Sequence, residues 1–326
     1  MNKKQTKMTQ KNVDLAIQLG DMPANVLTPT RFAEEVKDIH KDVKVKVLGE
    51  KDMKKLEMGL ILGVSQGSDQ EAKFIVAEYN GGDKDENPTV LIGKSLTFDL
   101  GGSSIKPSSS LHQMKYDMLG GGSVLAALKT AAEMKLPINI VAIFPSSENL
   151  INGSATKPGD VHTAMDGTTV DIRNTDAEGR LILADALAYA QRFFNPASIT
   201  TVATLTGAVL YALGTTHTAL FGNESADDLI KEFQVAGDES GDLVWNMPLL
   251  EEHAEPMKGI NGVSDLINSE GKAGPGSTTA AAFLNEFVDG DIPFTHLDIA
   301  ATASQGDEVT GRPVKLLVQF LINRSK

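Results

Sequence analysis

An α/β domain built on a central, largely parallel (mixed) sheet, with helices covering both faces, is the architecture expected of this 326-residue chain. Three observations lead to it. Short apolar runs rich in β-branched residues alternate with longer amphipathic stretches from end to end. Apolar residues make up 41% of the chain, enough at this length to bury a core without staples. No internal repeat, low-complexity tract or linker-like segment divides it, so a single domain is expected.

In chain order, residues 1–11 read as a polar, lysine-rich N-terminal tail, and the domain is expected over 12–326. Strands are expected at Val43–Leu48, Lys73–Glu78, Thr89–Gly93, Ile138–Phe144, Ile199–Leu205, Ala219–Gly222 and Thr295–Ile299, lengths that suit buried strands. Helices are expected at Pro29–Ile39, Gly122–Met134, Gly179–Phe193, Ala226–Ala236, Thr278–Val288 and Pro313–Ile322. The first has Thr28 as N-cap and proline at its first position, the favoured order. Between Pro145 and Asn174, Asn-Gly, Pro-Gly-Asp and Asp-Gly turn signals mark a small hairpin excursion.

Composition narrows the chemistry. The absence of cysteine excludes disulfides, thiolate zinc sites, iron–sulfur clusters and a cysteine nucleophile. A net charge of −13 argues against coating nucleic acid, which needs a basic face. The polar start is unlike a signal peptide, and the apolar run Leu316–Ile322 is too short to span a bilayer. A soluble, cytoplasmic protein with no nucleic-acid or membrane partner is expected.

Several motifs lead nowhere. Gly63-Val-Ser-Gln-Gly67 matches a serine-hydrolase elbow around Ser65, but a polar connection follows it instead of an apolar-faced helix. Gly93-Lys-Ser95 resembles the end of a P-loop, yet Pro88 stands where its first glycine belongs. The glycines at 120–122 lack the ribose-binding acid of a dinucleotide fingerprint. No two of the six histidines stand three or four residues apart, so a His-Glu-x-x-His zinc site is absent.

Two charged segments remain. In Asn174-Thr-Asp-Ala-Glu-Gly-Arg180, between a strand-like piece and a helix, Asp176, Glu178 and Arg180 alternate and can project into one cavity. A bland reading makes them a cap, a dipole-complementing acid and a salt-bridge partner. The second segment favours a site: Lys94, Asp99, Lys106 and Asp117 are spread through a Gly- and Ser-rich loop after a buried strand. Together Asp99, Asp117, Asp176 and Glu178 offer enough oxygen donors for two divalent cations. An acidic quartet in a cavity implies either metals or raised pKa values. A nearby lysine can serve as a neutral ligand or as a charged polarising group.

At these residues the chain resembles the leucine (cytosol) aminopeptidase family of dinuclear metallo-exopeptidases. Asn174–Leu181 is similar to the family signature. Gly93-Lys-x-Leu-Thr-Phe-Asp-x-Gly-Gly-x-Ser-Ile-Lys-Pro107 is a second match. Met114-Lys-x-Asp-Met118, Lys157-Pro-Gly-Asp-Val161, Ala203–Ala208, His296–Ala300, Thr310–Val314 and Met22–Pro29 extend the resemblance over roughly residues 12–322.

The resemblance implies a metal-dependent aminopeptidase, preferring leucine-like N-terminal residues, with two divalent ions per subunit, zinc or manganese. Lys94, Asp99, Asp117 and Glu178 would hold the tighter ion, and Asp99, Asp176 and Glu178 the more exchangeable one. Lys106 would act beside the substrate carbonyl, and Arg180 would hold a bicarbonate-like anion as general base. Met114, Thr204, Leu205 and Gly207 would form the substrate pocket. Peptides with a free N-terminus and a homo-hexamer are the implied partners. Ser95, Leu100, Gly121-Gly122 and Ala301 depart from the family pattern, and its usual N-terminal accessory domain is expected to be absent. The alternatives are an inactive binding protein on the same fold, or a serine hydrolase using Ser65.

Overall fold

The computed structural model describes residues 1–271 and 274–326. Its centre is a nine-stranded mixed sheet. In chain order its strands are β1 (Val43–Leu48), β2 (Lys73–Asn80), β3 (Thr89–Gly93), β4 (Ser95–Asp99) and β5 (Asn139–Asn149), then β8 (Ser198–Ala203), β9 (Thr218–Gly222), β10 (Val244–Asn246) and β12 (Phe294–Asp298). The spatial order is β1-β2-β5-β3-β8-β12-β9-β10, with β4 added beside β5. Strands β5, β3, β8 and β12 run parallel, and antiparallel pairs flank them. A small second sheet, β6 (Val161–Thr163), β7 (Thr169–Asp171) and β11 (Leu266–Ile267), contains the expected hairpin excursion.

Period-two alternation divides the sheet's side chains between two apolar layers. Leu91, Ile75 and Ala77 face one core with α1 (Lys3–Asp21), α2 (Pro29–Lys37), α5 (Leu119–Met134), α8 (Asp227–Ser240) and α10 (Val314–Arg324). Val90, Ile92, Phe74 and Val76 face the other, with α3 (Glu50–Lys55), α4 (Gly59–Ser65), α6 (Gly179–Phe193) and α9 (Gly276–Asn285). Every residue of β3 and β8 is buried, as a doubly covered strand requires. The edge strand β1 instead exposes Lys44 and Lys46, which discourages pairing with another chain. A short helix α7 (Ala208–Leu213) follows β8.

Strands β4, β10 and β11 and the short helices α3, α4 and α7 lie where no element was expected, β4 within the segment read as a loop, and two further differences have a clear cause. Helix α1 runs through the lysine-rich start, opened by an Asn2–Gln5 capping box. Its buried residues Val13, Ala16 and Leu19 lie in its second half, so the first turns show no apolar period. Strand β5 continues past Pro145 to Asn149. On the side facing β3 and β4, Pro145 falls where the neighbour changes, after the Ile92–Ile143 pairing and before Ser95–Ser146, so its missing N–H interrupts neither of those ladders, while on the other side it stands opposite Phe74 of β2. Among the described residues no helix is long and apolar enough to cross a membrane.

Helix α6 is pinned from within. The fully buried Asp185 carboxylate accepts from the amides of Leu60 and Ile61 at 3.0 and 2.9 Å through one oxygen, and from Met165 N at 2.9 Å through the other. Burial pushes this carboxyl up to about 7, against the pull of those three amides. In Asp185→Asn one acceptor oxygen becomes an NH2 facing an amide N–H. The substitution should lower the urea-unfolding free energy by about 1–3 kcal/mol, and an unchanged unfolding midpoint would contradict this packing.

Candidate metal centre

The charged segments converge at the C-terminal ends of the central parallel strands, where open α/β sheets place their sites. Strand β3 ends at Gly93, Lys94 follows, and Asp99 closes β4. The chain then turns through Gly101 and Gly102, both at positive φ, to Lys106 and a 3-10 segment that delivers Met114 and Asp117 to the start of α5. From the second sheet, the loop after β7 brings Asp176 and Glu178 to the start of α6. The loop after β8 supplies Thr204, Leu205 and Gly207.

Two ammonium groups stand among four carboxylates. Lys94 Nζ lies 2.8 Å from both Asp117 Oδ2 and Glu178 Oε1 and donates to the Thr204 carbonyl at 3.1 Å. Lys106 Nζ lies 2.7 Å from Asp99 Oδ2 and 2.6 Å from Asp176 Oδ1. Oxygens of Asp99, Asp176 and Glu178 all fall within 4.8 Å of one another. Glu178 Oε2 is buried without any hydrogen-bond partner, while Asp117 Oδ2 and Asp176 Oδ1 sit at ion-pair distance without a directed hydrogen bond. Orphaned buried carboxylate oxygens beside an amine form a donor set that fits hard or borderline divalent cations.

Burial governs the electrostatics. It pushes Glu178 up to about 8, with Asp99 adding to the rise and Lys94 opposing it. It lifts Asp117 to about 6 against the pull of Lys94, and raises Asp176 with help from Asp99. Burial works against the charge of both lysines, but the surrounding acids outweigh it, Asp117 foremost for Lys94 and Asp99 for Lys106. Both stay protonated and are held above the ordinary lysine range.

A cavity of about 470 Å³ opens on this cluster, lined by Lys94, Asp99, Lys106, Asp117, Asp176 and Glu178 and also by Met114, Thr204, Leu205 and Gly207. The structure thus brings together all but one of the candidate residues. Arg180 is the exception: it is buried in the first turn of α6 outside the cavity lining, and its Nη1 donates to the Asn268 carbonyl at 2.8 Å. Burial lowers its guanidinium to about 10. Ser65 is buried at the end of α4, where its hydroxyl donates to the Leu62 carbonyl at 3.1 Å, not on a strand-to-helix turn.

Three buried residues that support the site were not singled out from sequence. Asn149 Nδ2 donates to Asp99 Oδ1 at 2.8 Å and to the Thr175 carbonyl at 3.0 Å. Asp298 accepts from Leu205 N, Thr206 N and the Thr206 hydroxyl, fixing the loop after β8. Asn268 holds the loop before α6. Asp298 sits inside the matched His296–Ala300 motif, which could have flagged it. The two asparagines carry no local signal.

The model of the cytosol aminopeptidase family catalytic domain matches residues 14–318. The chain belongs to that family. A probable cytosol aminopeptidase of Azotobacter vinelandii is 49% identical over 314 residues, 94% of this chain and 62% of the relative. One from Bdellovibrio bacteriovorus is 50% identical over 293 residues, 89% of this chain and 58% of the relative. The chain therefore spans about three-fifths of the length of the curated relatives it matches. Among solved structures, the bottromycin maturation enzyme BotP in complex with Mn superposes with a TM-score of 0.91 at 33% identity, covering 98% of this chain and 71% of that one.

Two departures from the cytosol aminopeptidase pattern explain each other. A Cβ at Gly121 would stand 2.1 Å from Ser95 Oγ and 3.1 Å from its Cβ, so the serine in this placement, its hydroxyl bonded to the Gly93 carbonyl, leaves room at 121 for glycine alone. The close approach is closed by Gly121 N donating to the Lys94 carbonyl at 2.7 Å, which sets the start of α5 against Lys94. Gly179 of the family signature is explained likewise: a Cβ there would lie 2.8 Å from Lys94 Nζ.

The pH dependence of Glu178 follows from its shift. The folded value, about 8, exceeds the ordinary 4.5, so the unfolded chain releases this proton first. The associated stability is complete below 4.5 and is lost as pH climbs through 8. In the presence of chelator, urea unfolding should show the wild type losing stability relative to Glu178→Gln across that interval, whereas a pH-independent difference would contradict the burial argument.

Proposed function

We propose that this chain is a metal-dependent aminopeptidase that hydrolyses the N-terminal residue, preferably leucine-like, from peptides with a free amino terminus. The observation that carries this reading is the carboxylate quartet, three of its members buried, opening into a cavity that the partly exposed Lys106 also lines. Family membership, the relatives' names and the complex of BotP with Mn support it.

Lys94, giving up to the solvent the proton it keeps in the absence of metal, would hold the tighter ion with Asp99, Asp117 and Glu178, and Asp99, Asp176 and Glu178 would hold the exchangeable one. Two divalent ions there, zinc or manganese, would supply a nucleophilic water at neutral pH and polarise the scissile carbonyl. The chain's own side chains divide the remaining work. Lys106, whose side chain is 21% exposed against 3% for Lys94, is the lysine that reaches substrate and stabilises negative charge growing on the carbonyl oxygen. Arg180 keeps its charge at neutral pH, and its buried Nε has no hydrogen-bond partner, a free donor for a bicarbonate-like anion serving as general base.

Met114, Thr204 and Gly207 would surround the first side chain of the substrate, with the Leu205 carbonyl near its backbone. A Cβ at Gly207 would meet nothing within 4 Å, so glycine there leaves the pocket room. A homo-hexamer is proposed from the family resemblance, with exposed Tyr211, Trp245 and Leu250 as apolar surface for subunit contacts. A cytoplasmic setting is read from the relatives' names.

Hydrolysis of leucyl-p-nitroanilide tests the assignment. Wild-type activity should vanish with chelator and return with Mn²⁺ or Zn²⁺. Lys106→Ala and Asp176→Asn should each reduce the rate by about 100-fold or more. Chelator-resistant turnover abolished by Ser65→Ala, or equal rates in wild type and both site variants, would overturn it.

A further inference from the structure

We propose that Asn268 is a positioning residue that holds the loop 173–177 in the shape in which Asp176 and Glu178 receive divalent cations. The inference rests on the metal reading above and concerns a side chain that enters from a distant part of the chain. Strand β11 pairs in parallel with β7, Leu266 opposite Val170 and Ile267 opposite Asp171. Asn268 follows directly, and its N–H donates to the Asp171 carbonyl at 3.1 Å. The pairing thus carries it to the point where the loop leaves β7.

A carboxamide offers two acceptor positions and two donors. Asn268 directs all four at this one loop. Its Oδ1 accepts from Arg173 N at 2.8 Å and Asn174 N at 3.2 Å, and its Nδ2 donates to the Asn174 carbonyl at 2.7 Å and the Ala177 carbonyl at 3.2 Å. The residue is 0% exposed, so water cannot replace these bonds. They fall on both sides of Asp176, whose own N–H donates to Asn174 Oδ1 at 2.9 Å. The Asn268 carbonyl also accepts from Arg180 Nη1 at 2.8 Å, so one residue fixes the loop and the arginine beyond it. Aspartate would lack both donors, and alanine would leave Arg173 N, Asn174 N and the Ala177 carbonyl unpaired, the Asn174 carbonyl keeping only Ala177 N.

Loop-stapling asparagines can be purely structural, and this chain supplies a matched control. Asn139 accepts from Gly82 N at 3.1 Å and donates to the Asp83 and Glu86 carbonyls, gripping the loop after β2, none of whose residues line the metal cavity. Its chemistry is the same and its loop carries no candidate ligand. What separates the two is the effect on metal, since groups behind a ligand typically tune affinity by about 10- to 100-fold.

The test is a Mn²⁺ titration of the full chain, read by the EPR signal of the free ion and paired with urea unfolding in chelator. The wild type should bind two ions per chain. Asn268→Ala should weaken the more exchangeable ion by about 10- to 100-fold. Asn139→Ala should lower stability and leave Mn²⁺ affinity unchanged. Asn268→Asp keeps the acceptor bonds and adds negative charge, yet should also bind Mn²⁺ more weakly, the reverse of what charge alone predicts; it decides the question if Asn268→Ala does not fold. Unchanged or tighter binding in a folded Asn268 variant would overturn the positioning role and leave the metal reading standing. A wild-type chain that binds no Mn²⁺ would overturn the metal reading and this inference with it.

Discussion

Four carboxylates brought out of water at one end of a sheet dominate this molecule. Asp99, Asp117 and Glu178 are buried, and Asp176 is only partly exposed. Taking such charges out of water is strongly unfavourable unless they are paired. Lys94 and Lys106 meet part of the demand, each between two acids, and two formal negative charges remain. The raised values of Glu178 and Asp117 express burial first and the neighbouring Asp99 charge after it, and divalent cations are the natural counter-charge for both. A charge arrangement unfavourable for folding is favourable for binding cations.

The surrounding structure reads as a means of holding that arrangement still. The acids arrive on three separate segments: the β4 strand end, the start of α5 and the loop before α6. Buried polar side chains fix the segments from behind. Asn149 orients Asp99, Asp298 shapes the wall after β8, and Asn268 closes the loop around Asp176. Close backbone approach does the rest, with Gly121 against Ser95 and Gly179 against Lys94. Because Ser95 in this placement leaves no room for a Cβ at 121, the two departures from the family pattern act as one change that preserves the position of Lys94.

Much of this was legible in the sequence, because the informative features are local. Strands Val43–Leu48 and Thr89–Gly93 and helix Gly179–Phe193 have the expected bounds, since apolar period and turn residues mark both ends. Strand β8 stops at Ala203, two residues before the expected end, because the amides of Leu205 and Thr206 turn to the Asp298 carboxylate. Helix α1 was hidden by a first half that buries almost nothing. The acidic quartet could be assembled from alternation and spacing, but Arg180, chosen by the same alternation, lies outside the cavity lining with its Nη1 bonded to the Asn268 carbonyl. Asn268 lies some ninety residues beyond the loop it holds, as its contacts with 173–177 require, and no local pattern announces such a contact.

Anomalous diffraction from Mn²⁺-soaked crystals tests the central claim most directly, because it locates cations without reference to turnover. The carboxylate quartet as a dinuclear site requires two anomalous peaks per chain, bracketed by Asp99, Asp117, Asp176 and Glu178. A map with no peak among these side chains, or with its peaks elsewhere on the surface, would contradict it.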